Sequence, residues 1–113
     1  MKKTDFYRNA RTDIPGPLSG IRVLEATTTW AGPMCAVVLA DFGADVIKVE
    51  IPSGDVSRSL QPNLPGTEIS FAHATVNRNK RALSLDVRTE QGRDIFLELA
   101  ARSDVVVENF KVG

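Results

Sequence analysis

The sequence predicts an α/β domain built on a doubly wound, Rossmann-like parallel sheet, and three observations predict it. Short β-rich runs recur at Ile21–Ala26, Asp45–Ile51, Ala82–Val87 and Asp104–Glu108. Helical patterns fall between the first two and the last two, giving the order β-α-β-(loop, short helix)-β-α-β of doubly wound sheets. Val105-Val106-Val107 is an unbroken apolar run, which suits a strand covered on both faces.

Taken in order, residues 1–17 are polar, hold two prolines and show no period, so they are expected to lie on the surface as a tail. The domain proper runs over 18–113. After the first strand, Thr27 to Trp30 form a polar turn, and Gly32-Pro33 opens a helix expected from Pro33 to Phe42, because the first helical position tolerates proline. Met34, Val37, Val38 and Asp41 would share one side of it, with Leu39 and Phe42 filling in. Gly43 stands where a left-handed cap is wanted. The second strand follows at once, so a right-handed parallel crossover is the default.

Pro52 to Glu68 is rich in Pro, Gly and Ser and reads as an irregular surface excursion, long enough to favour a functional loop. Ile69 to Val76 is expected to form a short helix, and Asn77 to Arg81 a cationic turn. In the third strand Leu83 and Leu85 alternate with Ser84 and Asp86. Thr89 is the predicted N-cap of a helix reaching Arg102, with Glu90 in its first turn and Ile95, Phe96, Leu99 and Ala100 as its apolar stripe. The chain stops just after the fourth strand with no helix to cover it, so it is expected to be a fragment of a longer protein.

Composition narrows the function classes. The 113 residues carry no formal net charge, which gives no global support for a nucleic-acid or anionic-membrane surface. With one cysteine and one histidine, a structural zinc site and disulfide stapling are both disfavoured, and a reducing, cytoplasmic setting is expected. The longest apolar run, Met34 to Ala40, is too short to span a bilayer.

The strand-to-helix junction at 27–33 leaves backbone N–H groups at the carboxyl edge of the sheet, where an anion or a polarised carbonyl can be held. The three spaced glycines of a dinucleotide fingerprint are absent, which disfavours a nicotinamide-dependent dehydrogenase. No P-loop, nucleophile elbow or catalytic Cys–His constellation occurs. Glu50 sits where a ribose-binding acid would sit and equally suits an ordinary strand end. Arg78, Lys80, Arg81 and Arg88 admit two readings, a solvated basic loop or capture of a phosphate-bearing ligand. Asn109 stands at the ligand-binding edge of an open sheet or serves as a turn residue. Trp30 packs or walls a pocket, and His73 carries no signal by itself.

Six blocks carry a more specific signal. Pro17 to Glu25, Trp30-Ala31-Gly32-Pro33, Leu39 to Glu50, Asn77 to Arg81, Leu85 to Arg93 and Ser103 to Phe110 follow one another in an order and spacing that resembles the class III coenzyme A transferases, the family of formyl-CoA transferase and the carnitine CoA-transferases. The resemblance implies that these residues are the N-terminal part of a larger CoA-transferase fold. It also implies an enzyme moving coenzyme A from an acyl-CoA donor to a free carboxylic acid through an aspartyl intermediate, with no permanently bound cofactor. Members are several times this length and form interlocked homodimers. The attacking aspartate would follow Gly113, so the resemblance assigns no catalytic residue here and the segment alone should be inactive.

By motif match, Thr29 and Ala31 would lie along the coenzyme A, Leu85 and Arg88 would flank its adenosine and phosphates, and Asn109 and Phe110 would contact its nucleotide or pantetheine part. Ile51 departs from the pattern, since many members carry an arginine there. The missing cation forfeits roughly 1–3 kcal/mol of charged hydrogen bonding unless Arg58 or the turn at 78–81 substitutes. The alternatives are an acyl-CoA racemase of the same family, whose N-terminal blocks are shared, or a non-catalytic CoA-binding fragment.

Overall fold

A computed structural model describes residues 14–111 together with Lys2. Most of the expected N-terminal tail therefore lies outside the described residues. Its last part is tied down: Leu18 donates its N–H to the Phe42 carbonyl at 2.9 Å, and Gly16 packs so closely that a Cβ on it would stand 2.3 Å from the same oxygen.

Four parallel strands form one sheet in the order β3-β2-β1-β4: β1 Arg22–Ala26, β2 Asp45–Glu50, β3 Arg81–Ser84 and β4 Val105–Glu108. Helix α1, Ala31–Asp41, joins β1 to β2. A single 3₁₀ turn at Val56–Ser59 and helix α2, Phe71–Asn77, lie between β2 and β3, and α3, Glu90–Ala101, crosses from β3 to β4. The chain steps outward from β1 to β2 to β3 and then returns to the other side of β1. Right-handed crossovers in opposite directions put α1 and α2 on one face and α3 on the other. The reversal makes the carboxyl ends of β1 and β4 the topological switch point, where open α/β sheets bind ligands.

α1 starts two residues before the expected Pro33, which occupies its third position. Proline is harmless there too, because none of the first N–H groups of a helix has an intrahelical partner. Its buried side is Pro33, Ala36, Val37 and Ala40, an i, i+3, i+4, i+7 stripe, whereas Val38 and Phe42 are exposed. The expected stripe was rotated by about one residue, since an almost uniformly apolar helix does not declare its phase. The small side chains decide it: Ala36 and Ala40 let the helix approach Val23 and Val46 to form the core, with Ala44. At the end of α1 the Gly43 N–H bonds to Ala40 and the Ala44 N–H to Leu39, a Schellman closure with Gly43 at φ +98° as expected.

Ser70 caps α2 through the His73 N–H, and Thr89 caps α3 through the Gly92 N–H at 3.0 Å. Strand β3 ends at Ser84, short of the expected Val87, although the Leu85 N–H still reaches the Glu50 carbonyl at 2.8 Å. Strand β4, a run suited to cover on both faces but expected to lack a covering helix here, is partly open among the described residues. Val105 and Val106 are 39% and 47% exposed, and along α3 Ile95 and Leu97 are exposed as well. No helix among the described residues is long and apolar enough to cross a membrane.

Candidate functional site at the carboxyl edge of the sheet

The site is built on the turn that follows β1. Thr29 adopts φ +73°, the left-handed region that a β-branched residue rarely enters. Its N–H faces both carboxylate oxygens of Asp55, at 3.2 and 3.3 Å. Asn109, just past β4, grips the neighbouring residue from the other side: its Oδ1 accepts from the Thr28 N–H at 3.0 Å and its Nδ2 donates to the Thr28 carbonyl at 3.1 Å. Trp30 gives α1 no side-chain cap, so the N–H groups of Ala31 and Gly32 stay without an intrahelical partner at the switch point. Gly32 is required for this closeness, because a Cβ there would stand 2.4 Å from the Thr27 Cβ.

Beneath the turn lies a buried ionic ladder. Glu25 on β1 and Lys48 on β2 are register partners, and Lys48 Nζ lies 3.1 Å from Glu25 Oε1, 3.3 Å from Asp55 Oδ2 and 2.9 Å from the Thr27 carbonyl. Lys80, from the turn before β3, places its ammonium 2.7 Å from Glu25 Oε2, an ion-pair contact without hydrogen-bond geometry. The same ammonium donates to the Pro33 carbonyl in the first turn of α1. Glu50 at the end of β2 accepts two hydrogen bonds from Arg58, both 2.8 Å, and one from the Asp55 N–H. Three carboxylates thus meet three cations, as buried charges require.

Burial pushes the carboxyls of Glu50 and Asp55 up, but the Arg58 bonds on one and the Ser57 bonds on the other, aided by Lys48, outweigh it and leave both below their ordinary range. Burial also lowers Lys80, against the pull of Glu25. His73 shares hydrogen bonds with Ser57 Oγ and Asn77, and burial with the nearby Arg58 charge holds it below its ordinary value.

Above the ladder a cleft of about 520 Å³ opens across the ends of all four strands. Ala26 to Thr28 come from the end of β1 and the turn after it, Val49 to Ile51 from the end of β2, Leu85 and Val87 from the segment after β3, and Phe110 from beyond β4, with Ser53 to Val56, Arg58 and Ser59 as the remaining wall. The lining is mainly apolar, with Glu50, Asp55 and Arg58 as its charged members.

Of the residues expected at a ligand, Leu85 and Phe110 line this cleft, while Thr29, Ala31 and Asn109 form its neighbouring rim through the turn at 28–31. Arg88 does not line it. Its exposed guanidinium is bonded to Asp86 at 2.8 Å, and that pair holds the Asp86 carboxyl down at about 2. The cationic turn at 78–81 divides: Arg78 pairs with Asp41 and Arg81 with Asp45 at the opposite, amino edge, whereas the buried Lys80 side chain reaches Glu25 in the ladder. The turn cannot supply the cation missing at Ile51. Arg58 lines the cleft, with its guanidinium bonded to Glu50.

The ladder itself, Glu25, Lys48, Asp55 and Lys80, was not expected. A signal existed, since an acid inside one strand run and a lysine inside the next must pair if both strands are buried, yet only the register shows that they face each other. His73 gained its place only through the fold. Among the described residues no cluster of three or more metal-ligating side chains occurs.

The family model described as CoA-transferase family III matches residues 18–113. The chain is 50% identical over 101 residues to the succinyl-CoA:mesaconate CoA-transferase of Haloarcula hispanica, covering 87% of this chain and 26% of that protein. It is 46% identical over 96 residues to the formyl-CoA:oxalate CoA-transferase of Streptomyces avermitilis, covering 85% and 23%. The fold matches the crystal structure of a CAIB/BAIF family protein from Brucella suis at a TM-score of 0.80 and 42% identity, over 87% of this chain and 27% of that one. The chain therefore spans about a quarter of the length of the relatives it matches. The family-model match over residues 18–113 and the fold match at 42% identity lead to one conclusion: this chain belongs to CoA-transferase family III.

Proposed function

We propose that these residues form the coenzyme A half of an enzyme that transfers coenzyme A from an acyl-CoA donor to a free carboxylic acid. The observation that carries the reading is the cleft at the carboxyl edge, which reaches Thr28 in the turn that leads into the uncapped start of α1. Its apolar walls, Ile51, Val56, Leu85, Val87 and Phe110, suit the flat adenine and the pantetheine chain, and Arg58 offers a cation to the phosphates. The N–H groups of Ala31 and Gly32 suit the thioester carbonyl, where negative charge develops as a nucleophile attacks. Thr29 and Asn109 hold the turn that presents them. Arg88 reaches a phosphate only by leaving Asp86.

The resemblance to the family implies an aspartate nucleophile from further along the full protein, and Asp55, which meets the turn before α1, is committed to Thr29, Ser57 and Lys48. The nucleophile's attack on the thioester would release the CoA thiolate and leave a mixed anhydride. The thiolate would then attack that anhydride at the aspartyl carbonyl, giving an aspartyl-CoA thioester and freeing the donor acid; the acceptor carboxylate would attack this thioester, releasing the thiolate and forming a second anhydride, whose acceptor carbonyl the thiolate attacks to give the new acyl-CoA and the free aspartate. The exposed valines of β4 and apolar side chains of α3 support a homodimer in which further chain covers them, and the free, exposed Cys35 supports a cytoplasmic setting. Incubating the full protein with an acyl-CoA and a labelled free acid tests the reading. Label recovered as acyl-CoA is the expected result. Exchange of the α-proton of the acyl-CoA without any acceptor would instead establish the racemase alternative.

A further inference from the structure

We propose that Asp55 is a positioning residue for the β1–α1 turn, its carboxylate clamping Thr29 in the left-handed conformation on which the start of α1 depends; the inference rests on the coenzyme A reading above for its consequence in binding. Three consecutive residues of the turn are each gripped from a different part of the fold. Lys48 Nζ holds the Thr27 carbonyl at 2.9 Å, Asn109 brackets both backbone groups of Thr28, and Asp55 takes the Thr29 N–H. The third grip is the demanding one. Thr29 is an exposed β-branched residue with φ +73°, and among the described residues its hydroxyl meets only the Thr28 hydroxyl, at 3.0 Å, so its own side chain does nothing to favour that backbone.

Asp55 is built for the task. Its side chain is 1% exposed. Its carboxylate also accepts from the Ser57 N–H at 2.8 Å and faces Lys48 Nζ at 3.3 Å, while its own N–H donates to Glu50. The carboxylate is thus fixed before the turn meets it, and Lys48 links it to the Thr27 grip two residues away. Asp55 and Arg58 belong to the same wall of the cleft, so the clamp ties that wall to the start of α1.

The test uses the full-length protein. Asp55→Ala should weaken coenzyme A binding roughly 10- to 100-fold, the range of a lost charged hydrogen bond. In a Thr29→Gly background, where glycine enters the left-handed region without a clamp, the same Asp55→Ala change should cost no more than about threefold. A loss of equal size in both backgrounds would overturn the proposal, because a merely structural Asp55 does not depend on which residue stands at 29. Asp55→Asn keeps an acceptor for the Thr29 N–H and serves if the alanine variant does not fold; it should lose less than alanine, and an equal loss in soluble, folded samples would overturn the clamp. Amide hydrogen exchange separates this proposal from the functional reading. Faster exchange over residues 27–34 in Asp55→Asn or Asp55→Ala, with α3 unchanged, supports the clamp even if the wild type binds no coenzyme A, and unchanged exchange over 27–34 overturns it.

Discussion

The two edges of this sheet carry the same kinds of residue and do different things. At the amino edge Arg78 and Arg81 pair with Asp41 and Asp45, all largely exposed, on elements that meet end to end. At the carboxyl edge Arg58 and Glu50, Lys48 and Asp55, and Lys80 and Glu25 make a ladder that is mostly buried, with an open cleft above it and an uncapped helix start beside it. Charge does not distinguish them, because both are balanced. What distinguishes them is strand polarity and burial. Parallel strands send every loop with room for a ligand to one edge, and a charge buried there cannot relax without moving the backbone it holds.

The largest break in this contrast should come from Lys48→Met. It leaves Glu25 and Asp55 buried with one cation fewer, and breaking such a buried pair destabilises by about 3–5 kcal/mol, measured as a lower midpoint in urea unfolding. Next comes Gly32→Ala. The added Cβ must push on Thr27, and overpacking of this kind costs about 1–3 kcal/mol, with weaker coenzyme A binding by calorimetry because the turn itself is displaced. Arg58→Ala removes two hydrogen bonds from the buried Glu50 and the cation nearest the cleft, which should cost about 1–3 kcal/mol of stability and weaken coenzyme A binding at low salt more than at high salt.

Acid should sharpen the contrast further. His73 lies below its ordinary 6.5, so the neutral form is the folded one: its stabilisation is full above about 6.5 and is lost as pH falls through its lowered value. Glu50 and Asp55 lie below their ordinary 4.5 and 3.8, so their contribution is present above those values and lost as pH drops through the lowered ones. Unfolding midpoints measured from pH 7 to 3 should therefore fall slightly at first and then steeply. The smallest effect belongs to the amino edge. Arg81→Ala opens an exposed pair and should change stability by less than about 1 kcal/mol and leave coenzyme A affinity untouched; a clear loss of affinity there would mean that the two edges are not separate.

Local rules account for what was legible beforehand. Ser, Thr and Gly at the helix ends, the alternation of element types and the unbroken valines gave the strands and helices within a few residues, because caps and periods act over short stretches of chain. The phase of α1 was not legible, since nearly all of its side chains are apolar and only contact with Val23 and Val46 selects Ala36 and Ala40. The cover of β4 is legible only in part: Val105 to Val107 report that the strand suits burial, not which partner buries it. Thr29, Ala31, Leu85, Asn109 and Phe110 could be singled out through their motifs, and the fold brings all five to one edge. Arg88, singled out on the same basis, is held by Asp86 beside it.

By itself, then, the sequence determined the element order, the family and the residues of the turn after β1, because these depend on neighbours in the chain and on recurring motifs. Only the tertiary structure decided which cations line the cleft and which lie elsewhere. Arg78 and Arg81 belong to the amino edge, Lys80 is buried against Glu25, and Arg58 alone of these stands in the cleft. The physical reason is that an ion pair is a property of register and strand direction: Glu25 and Lys48 are 23 residues apart in the chain and meet because β1 and β2 run parallel in one particular alignment.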